Sequence, residues 1–363
     1  SKARELAELG AVYDSGALAN RNLIINGGMQ CWQRATSATA AANNYNTVDR
    51  FQIYEATDGA FTTQQGTGNS EDTGHENALQ ANVTTADGTI GSTQYAAIVH
   101  RIEAQNLQHL KWGYASGKNL VLSFWVKSNK TGIYSLSTEK NDATTYRRVN
   151  EFTIDAANTW EQKTIKIPAL TNSNSGGTIA NDSNLGIKFE WCLAYGSTFT
   201  TTSLDQWITT GHFASTNQVN WMDSTSNNFY LTGIQFELGD APTPFEHRSF
   251  GQELALCSRY FQAYTGETQE WVYNESNLAT GKWWQLIFPN GEMRTSPTVS
   301  FGSGWLGGTL AGQGSNTIDS MSCSSSNNRT SCRVTMSGTG GTAYNLVHTD
   351  GFDTRKCFMD AEL

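Results

Sequence analysis

The stretch FYLTGIQFELGDAPTPFEHRSFGQELALCSRYF, residues 229–261, decides how the rest of the chain is read. It opens as a strand: Tyr230, Ile234, Phe236 and Leu238 fall on one face at the two-residue period of a pleated backbone, with Thr232 completing the row. The sequence ELGD at 237–240 ends the strand, and Pro242 and Pro244 prevent its continuation, because proline has no N–H to donate to a ladder. A helical pattern follows over 253–260, with Leu254, Leu256, Cys257 and Phe261 near helical spacing. One domain closes here and a second opens. The apolar residues of the helical half imply a packed joint rather than a loose linker.

Outward from this joint, the 363 residues suggest two domains, enough chain to bury cores without disulfide or metal staples. Charged residues make up 16% and hydrophobic residues 38%, and the remainder is rich in Ser, Thr, Asn and Gln. Few charges and many small polar or β-branched residues predict an all-β protein whose wet strand faces carry hydroxyls and amides. The expected fold is two β-sandwich, jelly-roll-like domains with a short N-terminal helix and a short helical joint. The boundaries are a helical attachment segment over 1–20, a jelly-roll β-sandwich over 21–247 and a C-terminal β-sandwich over 248–363.

Residues 22–34 read as the first strand, interrupted by glycines at Asn26-Gly27-Gly28, which mark a bulge or a close backbone approach. Its expected partner is the strand half of 229–261, so that the two ends of the first sandwich meet. Further strands are expected at 48–54, 94–103, 120–127, 132–138, 147–154, 161–167 and 185–195. The clearest is LGIKFEWCLAY, where Leu185, Ile187, Phe189, Trp191, Leu193 and Tyr195 alternate with smaller or polar residues. Segments 36–46, 66–78 and 171–184 read as loops. In the second domain Trp284, Leu286 and Phe288 alternate, as do Cys332, Val334 and Met336.

A net charge of −9 argues against a nucleic-acid backbone as partner, and no apolar run approaches the length of a membrane span. The opening SKARELAELG lacks the apolar region of a signal peptide, and the six cysteines show no C-x-x-C pair. Reduced, mostly buried thiols are therefore expected, with Cys323 and Cys332 the one pair close enough in sequence to suggest a bridge. Within the first segment Leu6, Leu9 and Tyr13 belong to a narrow apolar stripe. A helix this short is unstable alone, so these residues are candidates for docking on a partner or on symmetry mates.

Signatures of chemistry are scarce. Metal-ligand spacings, a nucleophile elbow and a phosphate loop are not found, so no catalytic or metal residue is assigned. Asp49, Glu190 and Asp223 could form a hydrolytic pair only as a guess among 33 acidic residues. Aromatic residues stand out instead: Trp112 in KWGY, with Tyr114 two residues on, Trp221 in NWMD and Trp305 in GWLG lie in polar, loop-like surroundings. Exposed rings of this kind suit stacking on the C–H face of a sugar, so these four are the candidate glycan contacts. The competing reading is that they cover a sandwich edge or fill a subunit interface. A structural calcium held by oxygen ligands is a further option, although no ligand pattern singles out its site.

The opening NLIINGGMQCWQR with NTVDRFQIYE resembles the first strands of carbohydrate-binding-module-like jelly rolls, in which the closing strand is similar to FYLTGIQFELG. The joint GIQFELGDAPTPFEHRSFGQELALCSRYFQ, the leading SKARELAELGAVYDSGALANRNLIING and the terminal DAEL resemble bacteriophage tail-fibre and related virion proteins. That resemblance implies a non-enzymatic structural protein of the virion, made in the host bacterial cytoplasm. It further implies a homotrimer attached to other virion proteins at its N-terminal end and contributing to host-surface attachment through a glycan or receptor. Two rivals remain: a capsid-associated head fibre or decoration protein, and a glycan-degrading tailspike enzyme.

Overall fold

A computed structural model describes residue 2 and residues 20–40, 43–171, 176–265, 282–287, 290–301, 306–308, 316–317, 320–324, 329, 331–337, 345–346 and 356–363. Beyond residue 263, side chains are described for 290–300, 329 and 358–363. The chain divides into two compact units, 1–253 with Leu363, and 254–362.

The first unit is built on strands β1 (Ser37–Thr39), β2 (Phe51–Glu55), β3 (Ala60–Thr67), β4 (Asn77–Thr85), β5 (Tyr95–Glu103), β6 (Leu120–Ser128) and β7 (Gly132–Lys140). It continues through β8 (Tyr146–Ile154), β9 (Glu161–Ile167), β10 (Leu185–Tyr195), β11 (Thr200–Thr201), β12 (Trp207–Ile208), β13 (Ala214–Ser215) and β14 (Asn228–Leu238). Two six-stranded sheets result, in the orders β1-β3-β4-β14-β6-β9 and β12-β8-β7-β10-β5-β2, and every neighbouring pair is antiparallel. One apolar core lies between them, drawing Leu79, Phe124 and Phe236 from the first sheet and Ile98, Leu136 and Trp191 from the second. The chain passes back and forth between sheets, as in a jelly-roll sandwich.

The second unit is also all-β. Its described strands are β15 (Phe261–Thr265), β16 (Lys282–Ile287), β17 (Thr298–Phe301), β18 (Leu306–Gly308), β19 (Asn316–Thr317), β20 (Ser320–Ser324), β21 (Ser331–Ser337), β22 (Asn345–Leu346) and β23 (Lys356–Asp360). They form three three-stranded sheets, β15-β23-β17, β16-β21-β20 and β19-β18-β22. Trp284 stands opposite Val334 and Leu286 opposite Cys332, while Cys323 faces Val334 on the other side of β21. The side chains of Cys323 and Cys332 lie outside the described set, whereas Cys31, Cys192 and Cys257 are buried and not disulfide-bonded. The described helices are α1 (Ser70–Thr73), α2 (Phe250–Ser258) and short 3-10 turns, and none of them is long and apolar enough to cross a membrane.

The structure departs from the expected strands in three places. Residues 22–34 are a turn-rich segment rather than a strand. The segment nevertheless docks on β14: the Leu23 N–H donates to the Phe236 carbonyl at 2.8 Å and the Ile234 N–H to Gly27 at 3.0 Å. Gly27 is required by this approach, since a Cβ there would lie 2.1 Å from the Ile234 carbonyl oxygen. Second, β14 does not keep one two-residue period. A bulge between Thr232 and Gln235, with Gly233 at φ 58, turns Phe229 and Leu231 inward before it and Ile234 and Phe236 inward after it. Tyr230 and Thr232 thereby fall on the outer face. Third, β1 lies within a stretch that reads as a loop, and β3 and β4 are strands where none was expected, because their outer positions are Thr, Gln, Asn and Gly.

The joint is tied down by polar contacts within the first unit. Arg248 donates to the carbonyls of Asn22 and Ile24 and lies 3.5 Å from both Glu246 and Glu253. Glu246 accepts from the Asn22 N–H at 2.8 Å, and the buried Glu253 accepts from the Asn26 N–H.

His75 is enclosed beside the bulge, 4.4 Å from the Phe245 ring and 5.5 Å from the His247 ring. Burial, then the charge of His247, lowers its pKa from 6.5 to about 4. His100 is shifted the same way by burial, then by Arg50. A depressed folded pKa means that the neutral ring is favoured by folding. Its contribution is complete above about pH 6.5 and is lost as pH falls towards 4. Urea midpoints should therefore drop between pH 7 and pH 5, and His75→Gln should show a smaller drop; an identical drop in the variant would rule His75 out as a source.

Candidate functional site

Two sheet faces look away from the core, and their chemistry differs. On the outer face of the second sheet, charges satisfy one another. Lys188 lies 2.6 Å from Glu190 and 3.3 Å from Glu139, which pairs with Arg147 at 2.7 Å. Tyr195 donates to Glu190 at 2.5 Å, and the Phe213 ring covers Lys188 and Arg147 at 5.2 and 4.8 Å. Burial lowers the Lys188 pKa, but Glu190 and Glu139 outweigh it, so the ammonium is held above its usual range. Burial, then Glu190, pushes the Tyr195 phenol and the Cys192 thiol well up, so both stay protonated. This face is a closed internal network.

The outer face of the first sheet is open and sparsely charged around Tyr230, with Glu237 and Lys166 in register further along β6. Strand register aligns Ser37, Gln64, Gln80, Tyr230 and Lys127, one per strand from β1 to β6. Trp160, just before β9, completes this row: the Lys127 ammonium sits 4.2 Å from the Tyr230 ring centroid and 4.8 Å from that of Trp160. The two rings meet edge-on at 6.0 Å. Tyr230, Lys127 and Trp160 are all half-buried, with surface left towards solvent. Amides chain across the neighbouring strands, Gln64 donating to Gln80 at 3.2 Å and Gln80 to Asn82 at 2.8 Å. The flanking rows are Thr62-Asn82-Asn228 on one side and, on the other, Gly66-Ala78 and Thr232-Trp125-Gln162, of which Ala78 and Thr232 are buried. Flat rings, amides and hydroxyls on a rigid sheet can stack on a sugar face and hydrogen-bond its hydroxyls.

The sites expected from sequence fare differently. Trp112 is a core residue at 2% exposure, its indole donating to the Lys118 carbonyl at 2.8 Å and packing edge-on against Trp207. Trp221 is fully buried, donates to Asn228 at 3.0 Å and packs edge-on against Phe61. Neither ring offers a face to a ligand, so packing is the correct reading for both. Tyr114 is 57% exposed, but the chain turns at Gly113 (φ 84), so it shares no extended platform with Trp112. Trp305 and the docking candidates Leu6, Leu9 and Tyr13 lie outside the described residues.

Asp49, Glu190 and Asp223 are each committed elsewhere: Asp49 to Gln33 and Arg34, Glu190 to Lys188 and Tyr195, Asp223 to Lys130 and Asn227. Among the described residues no three His, Cys, Asp or Glu side chains converge as metal ligands. Trp160, Lys127 and the amide row escaped the sequence reading. The alternation of β6 does place Lys127 opposite Phe124 and Val126, and that was the one available signal.

No family model matches the chain, and no curated protein matches it. Solved structures do. A Bacteroides thetaiotaomicron VPI-5482 protein of provisional sugar-binding assignment is 13% identical with a TM-score of 0.33, over 60% of this chain and 100% of that one. The enzymatically active domain of bacteriophage CBA120 tailspike protein 4 is 12% identical with a TM-score of 0.32, over 60% of this chain and 21% of that one. A family 11 carbohydrate-binding module of Clostridium thermocellum, solved with a mixed-linked tetrasaccharide, is 15% identical with a TM-score of 0.29, over 58% of this chain and 99% of that one. At such scores nothing about this chain's ligand follows from them.

Proposed function

We propose that this chain is a non-enzymatic, tail-fibre-like protein of a phage virion that contributes to host-surface attachment by binding glycan. The observation that carries the glycan part is the row Gln80-Tyr230-Lys127-Trp160, two aromatic rings set beside amides on an open, rigid face. The resemblance of the joint and of both chain ends to virion proteins supports the phage part. A homotrimer docked on other virion proteins through residues 1–20 belongs to the same reading.

Calorimetric titration of the protein with soluble oligosaccharides tests the glycan claim. Trp160→Ala and Tyr230→Ala should each weaken binding about tenfold, the scale of one lost stacking contact with its buried area, while the urea midpoint stays within the range of ordinary surface changes. Unchanged affinity in both variants would remove this face from the reading. Release of fragments from host polysaccharide would overturn the non-enzymatic part, and absence of the labelled chain from imaged particles would overturn the virion part.

A further inference from the structure

We infer that the glycan bound by the outer face of the first sheet carries a carboxylate, as in a uronic or sialic acid, and that Lys127 reads it; this rests on the glycan reading above. Across the three rows Lys127 is the single charged side chain, and it stands at the centre, flanked by Tyr230 and Trp160. Its ammonium is held by the two ring faces at 4.2 and 4.8 Å and makes no hydrogen bond or ion pair with any described residue. The cation is thus positioned by cation–π attraction while its N–H donors reach no oxygen acceptor among the described residues and face water.

Nearby charges do not neutralise it. Burial, the larger effect, lowers the Lys127 pKa and the Asp72 carboxylate opposes it, but Asp72 stays beyond ion-pair distance of the ammonium. Lys163 is ion-paired with Glu161 at 2.6 Å and Asp155 at 3.1 Å, so it supplies no second free cation. A neutral sugar covering this face would strip water from the ammonium and return only weak hydroxyl contacts. A carboxylate laid over Lys127 would form a charge-assisted hydrogen bond. The sugar ring could then stack on Trp160 or Tyr230, with the free Gln64 Oε1 and Asn82 Nδ2 available to its hydroxyls.

The test compares oligogalacturonate with its methyl ester, and sialyllactose with lactose, on the unaltered protein. One acid should bind about tenfold tighter than its neutral partner, the range of a partly exposed charge-assisted bond, and the preference should shrink with added salt. Lys127→Gln should abolish the preference and Lys127→Arg should keep it, with the urea midpoint checked for both. Equal affinity for acid and neutral forms in both pairs overturns this inference and leaves the glycan reading intact. A preference that survives Lys127→Gln overturns the assignment to Lys127. Failure of every glycan to bind overturns the underlying reading instead.

Discussion

Asn26→Ala is expected to cost the first unit about 4 kcal/mol of stability, four hydrogen bonds, three of them buried, at roughly 1 kcal/mol each. Asn26 is fully enclosed, with its backbone in the left-handed region at φ 62. Its Nδ2 donates to the carbonyls of Cys31 at 2.9 Å and Asp49 at 3.0 Å, while its Oδ1 accepts from the N–H groups of Gln30 at 2.8 Å and Cys31 at 2.9 Å. Alanine would leave these four backbone groups without their partners and would hold a left-handed conformation that a Cβ without a local acceptor disfavours. The backbone N–H of this residue donates to Glu253, so the damage should reach the joint. Urea unfolding of the variant should show the loss. A change below about 1 kcal/mol, the size of a single typical bond, would mean that the turn is not the fastening described here.

Trp191→Ala should be comparably damaging, in the range of about 3–5 kcal/mol for removing a large aromatic from a packed core. The ring is fully buried between the sheets, with its centroid 5.8 Å from Phe124, 6.3 Å from Phe189 and 6.4 Å from Phe51. Its indole N–H has no hydrogen-bond partner among the described residues, so the contribution is one of packing. Trp191→Phe should then retain well over half of the stability lost in Trp191→Ala, because no bonded partner is orphaned. Equal losses in the two variants would point to an unrecognised polar role for the indole.

The fold class could be read from residues because alternation survives wherever one strand face is apolar. Leu185 to Tyr195 and Leu120 to Lys127 announce themselves this way, and both are strands. Strands β3 and β4 did not, since AFTTQQGT and NALQANVTT put amides and threonines at the outer positions and carry few large apolar residues inside. The strands that alternation missed are thus those that furnish the amides of the candidate site. The aromatic reading failed for the opposite reason. Trp112 and Trp221 sit among polar neighbours in sequence, yet each indole finds a backbone carbonyl within the core and satisfies its one N–H there.

By itself the sequence determined that this is an all-β chain and that the glycines of Asn26-Gly27-Gly28 mark a close backbone approach. Each of these depends on local steric and periodic rules acting over a few residues. Tertiary structure alone decided which aromatics face water. The bulge at Gly233 reverses the facing of β14, so Tyr230 leaves the row it shares in sequence with Ile234 and Phe236. Antiparallel pairing then brings Tyr230 beside Lys127 and Gln80, and packing brings Trp160 over the same ammonium. These partners lie far apart along the chain, and pairing register, which no short window of residues contains, is what sets them side by side.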